Sequence, residues 1–310
     1  MGIKTTLGRT DELNSSSTNS ISAVPAKLTQ QSLTQMTEAL SEKLISLAQK
    51  YESADFLKKD PSQFMHRFSS VRECEAVAFI AANLAFGRRE QILAHVEAIL
   101  SAAGSSPCDW ILNQKYKDFF PENNVSFYRM YTNSDMRLFF DGLRYILEEK
   151  ETIGDFFKEK WAEESEEKKG KNGVSGFSSN GKSARKASED GKKNYLHQVI
   201  ASAFPARCAL LPHSKDSAAK KVNMLLRWLV RDNSPVDLGL WKWFSKKDLL
   251  MPLDTHVMQQ SNELGLINSK SANLRTAIAL TKKVAGIFPD DPVKADYALF
   301  GLGIASQEAR

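Results

Sequence analysis

The chain has 310 residues, of which 42% are apolar, enough for a substantial hydrophobic core. Its 42 lysine and arginine residues against 37 acidic ones give a net charge of +5, too small a bias to identify an anionic partner by itself. The three cysteines are widely spaced, which argues against a disulfide framework. No apolar run reaches the about 18 to 20 residues that a membrane span needs. We therefore expect a cytoplasmic protein with no cofactor, no metal and no membrane partner.

Two polar stretches divide the chain. Residues 1–32 are rich in Ser, Thr, Asn and Gln, which predicts a disordered tail. Residues 163–194 are dominated by charged residues, Gly and Ser, which predicts a disordered insertion. The expected domains are an N-terminal helical part over 33–162 and a C-terminal helical part over 195–310.

Outside these stretches the apolar residues recur at intervals of three and four, the spacing of one face of an α-helix. The clearest sets are Ala76, Phe79, Ile80 and Leu84; Ile92, Val96, Ile99 and Leu100; Met136, Phe139, Phe140 and Leu143; Val222, Leu225, Leu226 and Leu229; and Leu274, Ile278, Thr281 and Val284. Strand-like alternation is scarce. The pattern predicts an all-α fold of at least seven helices.

The residue types that point to chemistry lie between positions 211 and 266. A helix is predicted to start at a capping Asp216 or Ser217, with Lys220 and Lys221 in its first turns. Further along, the chain breaks at a proline and restarts with Asp254 at the N-cap of the next helix.

This segment resembles a known family. The text Pro-Leu-Asp-Thr-His-Val at 252–257, followed by a helix that ends in Leu-Gly, resembles the helix-hairpin-helix DNA glycosylases, which include endonuclease III and the 8-oxoguanine glycosylases. The resemblance implies that Asp254 is the catalytic carboxylate. The text Lys-Lys-Val-Asn-Met-Leu-Leu at 220–226 is similar to the lysine helix of that superfamily, which implies Lys220 as the nucleophile, with Lys221 as the substitute.

A closer resemblance joins the chain to a family of bacterial proteins of this length whose function is not known to us. It is carried by KKVNMLLRWLVRD, DLGLW, PLDTHV, DPVKADYALFGLGI and EAVAFIAANLAFGRREQI.

The chain departs from the glycosylase pattern at two points. The glycosylase hairpin normally carries Leu-Pro-Gly-x-Gly, whereas Leu211-Pro212 is followed here by His-Ser-Lys without glycine. The lysine and the aspartate are also farther apart along the chain than in most members, closer to the archaeal 8-oxoguanine glycosylases.

The chemistry of the pair can be stated without the family. Breaking the C1′–N bond of a nucleotide passes through a state that resembles an oxocarbenium ion, which a carboxylate beside C1′ stabilises. A neutral amine can then attack C1′ and form a Schiff base, and the neighbouring charge of Lys221 favours the neutral form of Lys220. The alternative interpretation is that Asp254 only caps a helix and that the lysines lie on a solvated face.

Several cationic and polar side chains are candidates for contact with DNA. Lys220, Asn223, Arg227 and Arg231 recur at helical spacing and form a basic stripe, although such a stripe is as often a solvated face. The predicted DNA-binding residues are Arg88, Arg89, Lys215, Asn223, Arg227, Arg231 and His256. Trp241 and Trp228 are candidates for a pocket that holds a flipped base, the alternative being packing in the core.

We therefore expect the partner of this protein to be double-stranded DNA that carries a damaged base, such as 8-oxoguanine. The protein would excise this base as a glycosylase and cleave the strand as an abasic-site lyase. Two alternatives remain open at this stage. One is a non-catalytic protein that binds DNA structures on a glycosylase-like scaffold. The other is a helical protein-interaction module.

Overall fold

The computed structural model describes residues 30–172 and 195–308, and these residues are mostly helical. The helices are α1 (Gln30–Tyr51), α2 (Ala54–Leu57), α3 (Val71–Leu84), α4 (Arg89–Ala103), α5 (Pro107–Leu112), α6 (Tyr116–Phe119), α7 (Asn133–Glu149), α8 (Ile153–Asn172), α9 (Leu196–Ser202), α10 (Lys220–Val230), α11 (Thr255–Glu263), α12 (Leu274–Val284) and α13 (Ala295–Glu308). Short 3₁₀ turns occupy Pro61–Arg67, Lys246–Asp248 and Pro292–Lys294. The expectation of a mostly helical chain is confirmed.

A small antiparallel hairpin, which the periodicity did not predict, joins β1 (Ser126–Tyr128) to β2 (Tyr131–Thr132). Its strands are too short to show an alternating pattern in the sequence. Arg129 at the turn adopts a left-handed conformation with φ of 52°.

Two predicted boundaries differ from the structure. Helix α1 begins at Gln30, inside the predicted tail 1–32, and the rest of that tail lies outside the described residues. Helix α8 continues to Asn172, so the first part of the predicted insertion 163–194 is helical, and the remainder lies outside the described residues. The Glu and Lys residues of this stretch have high helix propensity, and this favours a helix despite the polar composition.

Contacts within the chain separate residues 1–39 from a unit of residues 40–310, and the core belongs to the second unit. The two predicted helical parts, 33–162 and 195–310, contribute to one continuous hydrophobic cluster. Helix α3 is central to it: residues from Ala76 to Ala82 have no exposed surface. It packs against α4, α5, α8 and α10. Four of its residues are alanines, whose small side chains allow neighbouring helices to approach closely.

A buried carboxylate fastens α3 to its surroundings. Glu75 accepts hydrogen bonds from Trp241 Nε1 at 2.7 Å and from the backbone N–H of Gly154 at 3.0 Å. Burial raises the pKa of Glu75 to about 7, although both hydrogen bonds lower it. The carboxylate thus joins the start of α8 and the segment after α10 to the central helix.

Candidate active site

The start of α10 is positioned by an unusual backbone turn. Ala219 precedes the helix in the left-handed conformation, with φ of 46° and ψ of 42°. Asp216 and Ser217 do not cap α10 as predicted; the Ser217 hydroxyl instead accepts a hydrogen bond from the N–H of Ala219 at 3.1 Å. The backbone of Leu274, at the start of α12, donates to the carbonyl of Asp216 at 2.9 Å. The hydrogen bond from Leu274 thus ties this turn to the start of α12. The turn sets the direction in which α10 begins at Lys220.

The aspartate is positioned by the helix that it caps. Asp254 Oδ1 accepts a hydrogen bond from the N–H of Val257 at 2.9 Å, so the carboxylate is the N-cap of α11. The other oxygen, Oδ2, lies 3.9 Å from Lys220 Nζ. The side chains are 37% and 29% exposed, so both are accessible from solvent. Capping and a catalytic role are compatible, because each uses a different carboxylate oxygen.

The pair lines a cavity of about 260 Å³. The remaining wall residues come from the segment around α2, from α4, α10, α11 and α13. They are Phe56, Asp60, Arg89, Met224, Arg227, Pro252, His256, Val257, Asp296, Tyr297, Leu299, Phe300 and Gly303. Five of the predicted site residues line this cavity, namely Lys220, Asp254, Arg89, Arg227 and His256.

A buried ion pair forms part of the cavity wall. Arg227 pairs with Asp296, and its guanidinium lies 4.5 Å from the centre of the Tyr297 ring. Burial raises the pKa of Asp296 above its ordinary value, against the opposing attraction of Arg227. Asp296 was not predicted as a site residue. A single aspartate in the segment DPVKADYALFGLGI does not indicate which distant arginine it will contact.

Lys221 faces a different environment from its neighbour. Its ammonium group contacts three oxygens, the carbonyls of Asn83 (3.2 Å) and Leu210 (2.7 Å) and the hydroxyl of Tyr131 (2.5 Å). Burial, with a smaller contribution from the charge of Lys220, lowers the pKa of Lys221 to about 7. Lys221 does not line the cavity, so it is not placed to act on the same atom as Asp254. Its assignment as a substitute nucleophile is not supported.

The predicted basic stripe on α10 is wrong. Asn223, Arg227 and Arg231 are 1%, 4% and 1% exposed, so none of them forms a surface for DNA. Asn223 Nδ2 donates to the carbonyl of Ala218 at 2.8 Å, and Arg231 binds both oxygens of Asp291 at 2.9 Å. The two arginines face acidic residues of other segments rather than water, which a helical repeat cannot reveal.

The other predicted DNA-binding residues are accessible. Arg88, Lys215 and His256 are exposed, whereas Arg89 is half-buried at the cavity wall. Gly87, immediately before the two arginines, has φ of 100°, which favours glycine, and it lies against the side chain of Arg129. Their role in binding DNA stays a prediction.

The predicted base pocket is also wrong in its aromatic residues. Trp228 has no exposed surface and Trp241 is 1% exposed, and neither lines the cavity. Trp241 packs on Phe79, Phe157 and Trp243 and bonds to Glu75, so it belongs to the core. The aromatic rings that do line the cavity are those of Phe56, Tyr297 and Phe300, which lie far from the lysine helix in the sequence.

The described residues contain neither a metal-binding group nor a membrane-spanning helix. No group of three or more His, Cys, Asp or Glu side chains in residues 30–172 and 195–308 is placed to hold a metal ion. Among the described helices, none has the length and apolar character to cross a membrane. All three cysteines are free and buried.

These observations define a helical protein with a Lys–Asp pair in an accessible cavity. A family model described as "Protein of unknown function (DUF2400)" matches residues 60–305. The chain belongs to this family, and the match includes Lys220, Asp254 and most of the cavity wall. No curated protein and no solved structure matches the chain.

Proposed function

We propose that the protein is a DNA glycosylase with abasic-site lyase activity, in which Lys220 is the nucleophile and Asp254 the catalytic carboxylate. One observation carries the proposal: Lys220 Nζ and Asp254 Oδ2, far apart in the sequence, lie 3.9 Å from each other at the wall of an accessible cavity. An amine and a carboxylate that can both reach C1′ are the groups that this reaction requires.

The reaction can be written for these two side chains. The unprotonated amine of Lys220 attacks C1′, and the bond between C1′ and the base nitrogen breaks, with the electron pair leaving on the base, which takes up a proton. The negative charge of Asp254 stabilises the positive charge that develops at C1′. The new C1′–N ammonium loses a proton, and the C1′–O4′ bond then breaks, with its electron pair and a proton going to O4′, which gives a Schiff base. Loss of a proton from C2′ and cleavage of the bond between C3′ and its oxygen then release the 3′ phosphate, which leaves with that bond's electron pair.

The resemblance to the helix-hairpin-helix glycosylases adds to this proposal. The helix pair would be α9 and α10, with the connecting residues 203–219 as the hairpin. The pattern of that superfamily has glycines in the hairpin, and here Ala219 adopts the left-handed conformation that glycine adopts most easily. The start of α10 is thus placed without glycine, and the DNA phosphate that the glycine turn holds in that superfamily would have to be bound by other groups here.

The DNA would be held by cations around the opening of the cavity. Arg88 and Lys215 are exposed, and Arg89 and His256 line the cavity itself. Flipping of the damaged nucleotide would bring its sugar to the Lys–Asp pair and its base into the cavity.

Reductive trapping tests the nucleophile. With borohydride, the wild type is expected to form a covalent adduct with a duplex that contains an abasic site, because hydride reduces the Schiff base to a stable amine. Lys220→Gln is expected to abolish the adduct. Lys270→Gln, a change at an exposed lysine outside the cavity, is the matched control and should trap as well as the wild type.

Asp254→Asn tests the carboxylate separately. Asparagine caps helices as well as aspartate does, so α11 should persist while the charge is lost. We expect the rate of base excision to fall by about 100-fold or more. If no duplex forms an adduct, and if DNA binding is unchanged in Asp254→Asn, the protein binds DNA without cutting it and the proposed chemistry is wrong.

A further inference from the structure

We infer that Phe56, Asp60, Arg89 and Phe300 form the base-selecting half of the cavity, and that they select a neutral base carrying an N–H donor and a carbonyl, rather than a cationic alkylated base. The inference rests on the proposed function, because it assigns a role to the cavity walls other than the Lys–Asp pair. None of the four residues was predicted from the sequence to select a base. Arg89 was predicted to contact DNA.

One wall of this half is aromatic. The rings of Phe56 and Phe300 pack edge to face with centroids 5.1 Å apart, and Phe56 packs in the same way on Tyr297 at 5.2 Å. Phe56 and Phe300 are only partly buried, so they present ring surface to the cavity. A planar base can stack on such a surface whatever its identity, because every base has a π face.

Two polar side chains of opposite charge lie in the same half. Asp60 Oδ1 accepts hydrogen bonds from the N–H and the hydroxyl of Ser62 at 3.0 and 2.6 Å, so this carboxylate is held in place. Its Oδ2 has no hydrogen-bond partner among the described residues and can accept an N–H. The Arg89 guanidinium lies 5.8 Å from the Phe300 ring centre and can donate to a carbonyl of a base stacked there.

The arginine beside the aromatic wall disfavours a cationic base. Apart from histidine, the charged wall residues are Asp60, Asp254, Asp296, Arg89, Lys220 and Arg227. When Lys220 is unprotonated, as the reaction requires, the acids exceed the cations by one, so the count alone does not exclude a cation. A cationic base such as 7-methylguanine stacked on Phe300 would, however, lie beside the Arg89 guanidinium, 5.8 Å from that ring centre, and like charges repel. Discrimination must therefore come from the donor and acceptor pattern of a neutral base, such as an oxidised or deaminated one.

The test uses the full chain and separates base recognition from the chemistry at C1′. Duplexes would carry 8-oxoguanine, hypoxanthine or uracil as neutral bases, 7-methylguanine as the cationic base, or a preformed abasic site. Phe300→Leu keeps an apolar side chain but removes the ring, and Asp60→Asn keeps the cap on Ser62 while it replaces an acceptor by a donor. Asp55→Asn, an exposed change outside the cavity, is the control.

We expect the wild type to excise at least one of the neutral bases and to leave 7-methylguanine in place. Phe300→Leu and Asp60→Asn should each lower excision by about 10-fold or more, the effect of losing one stacking or hydrogen-bonding contact. Both variants should retain borohydride trapping on the abasic duplex, because an abasic site has no base to recognise. Asp55→Asn should match the wild type in both assays.

Four outcomes would overturn the inference, and the first three concern the preferred base and the two cavity variants. They are a preference for 7-methylguanine, unchanged excision in both cavity variants, and an equal loss of excision and trapping, which would indicate a structural defect. Trapping on abasic DNA without excision of any neutral base would also contradict it while leaving the lyase activity intact. If the wild type traps no abasic duplex, the proposed function itself fails, and this result is distinct from the others.

Discussion

Two adjacent lysines at the start of α10 have different surroundings. Lys220 reaches Asp254 and also donates to the carbonyl of Ala85 at 3.2 Å, whereas Lys221 is enclosed by the oxygens of Asn83, Leu210 and Tyr131. The hydroxyl of Tyr131 can either accept from an ammonium or donate to a neutral amine, so both protonation states of Lys221 have partners. The site thus tolerates the neutral form that burial favours.

This environment predicts a dependence of stability on pH. The pKa of Lys221 is about 7 in the folded protein, below the ordinary value of 10.5 that the unfolded chain retains. Above pH 7 the unfolded state therefore binds more protons, and this group makes the free energy of unfolding rise with pH. Between about pH 7 and about pH 9 the rise should be on the order of 1 to 2 kcal/mol.

Denaturant unfolding at several pH values measures this effect. In Lys221→Met the contribution should disappear, so the stability of the variant should increase less with pH than that of the wild type. The comparison of slopes is informative even if the variant is less stable at every pH. Equal slopes for the two proteins would mean that Lys221 stays charged in the folded state.

At the scale of single helices, the apolar spacing predicted the existence of α3, α4, α7, α10 and α12. This prediction succeeded because the spacing of apolar residues along one helical face can be read from a short stretch of sequence. It did not predict which polar face meets water. The arginines of α10 are spaced like a solvated stripe, yet Arg227 and Arg231 meet Asp237, Asp291 and Asp296 from segments after the helix.

The candidate site shows the same division. Asp254 was predictable because a capping aspartate shortly after a proline is a local signal in the sequence. Phe56, Asp60 and Phe300 were not predictable, because only the folded chain brings them beside Lys220. The assignment of Trp241 to the pocket failed because closeness in sequence to the site does not imply closeness in space.

The start of α8 packs too closely on α3 to accept a side chain. A Cβ added to Gly154 would lie 2.6 Å from Glu75 Oε1 and 2.7 Å from Trp241 Nε1. Gly154→Ala is therefore expected to destabilise the protein by about 1 to 3 kcal/mol, the usual cost of overpacking. Thermal or denaturant unfolding measures the change.

Gly303→Ala in α13 is the matched control, because an added Cβ there meets no atom within 4 Å. Alanine favours the helix by up to about 1 kcal/mol, so this variant should be as stable as the wild type or more stable. Equal effects of the two changes would show that the contact between α8 and α3 is looser than described.

At the scale of the whole molecule, a buried cation joins segments from different regions of the chain. Arg231 at the end of α10 binds Asp291 and Asp237, and its Nη2 lies 2.8 Å from Glu52 Oε1, just after α1. The attraction of Arg231 lowers the pKa of Glu52, although burial of this carboxyl acts in the opposite direction and is the larger single contribution. The arginine compensates several carboxylates at once.

Removal of this cation should be costly. Arg231→Met is expected to lower the free energy of unfolding by about 3 to 5 kcal/mol, because it leaves buried carboxylates without a partner. The control is Lys246→Met, which breaks the exposed pair with Asp232 and should cost less than about 1 kcal/mol. Similar losses in the two variants would contradict the central role of Arg231.

The cavity is walled by Phe56 and Asp60 from one region of the chain and by Tyr297 and Phe300 from another nearly at the opposite end. During synthesis, a growing chain can fold α3 and even α10 without yet having the last wall. The hollow can form only after α13 has left the ribosome. From the addition of Lys220 until α13 has emerged, a nascent protein therefore holds this lysine without the finished cavity.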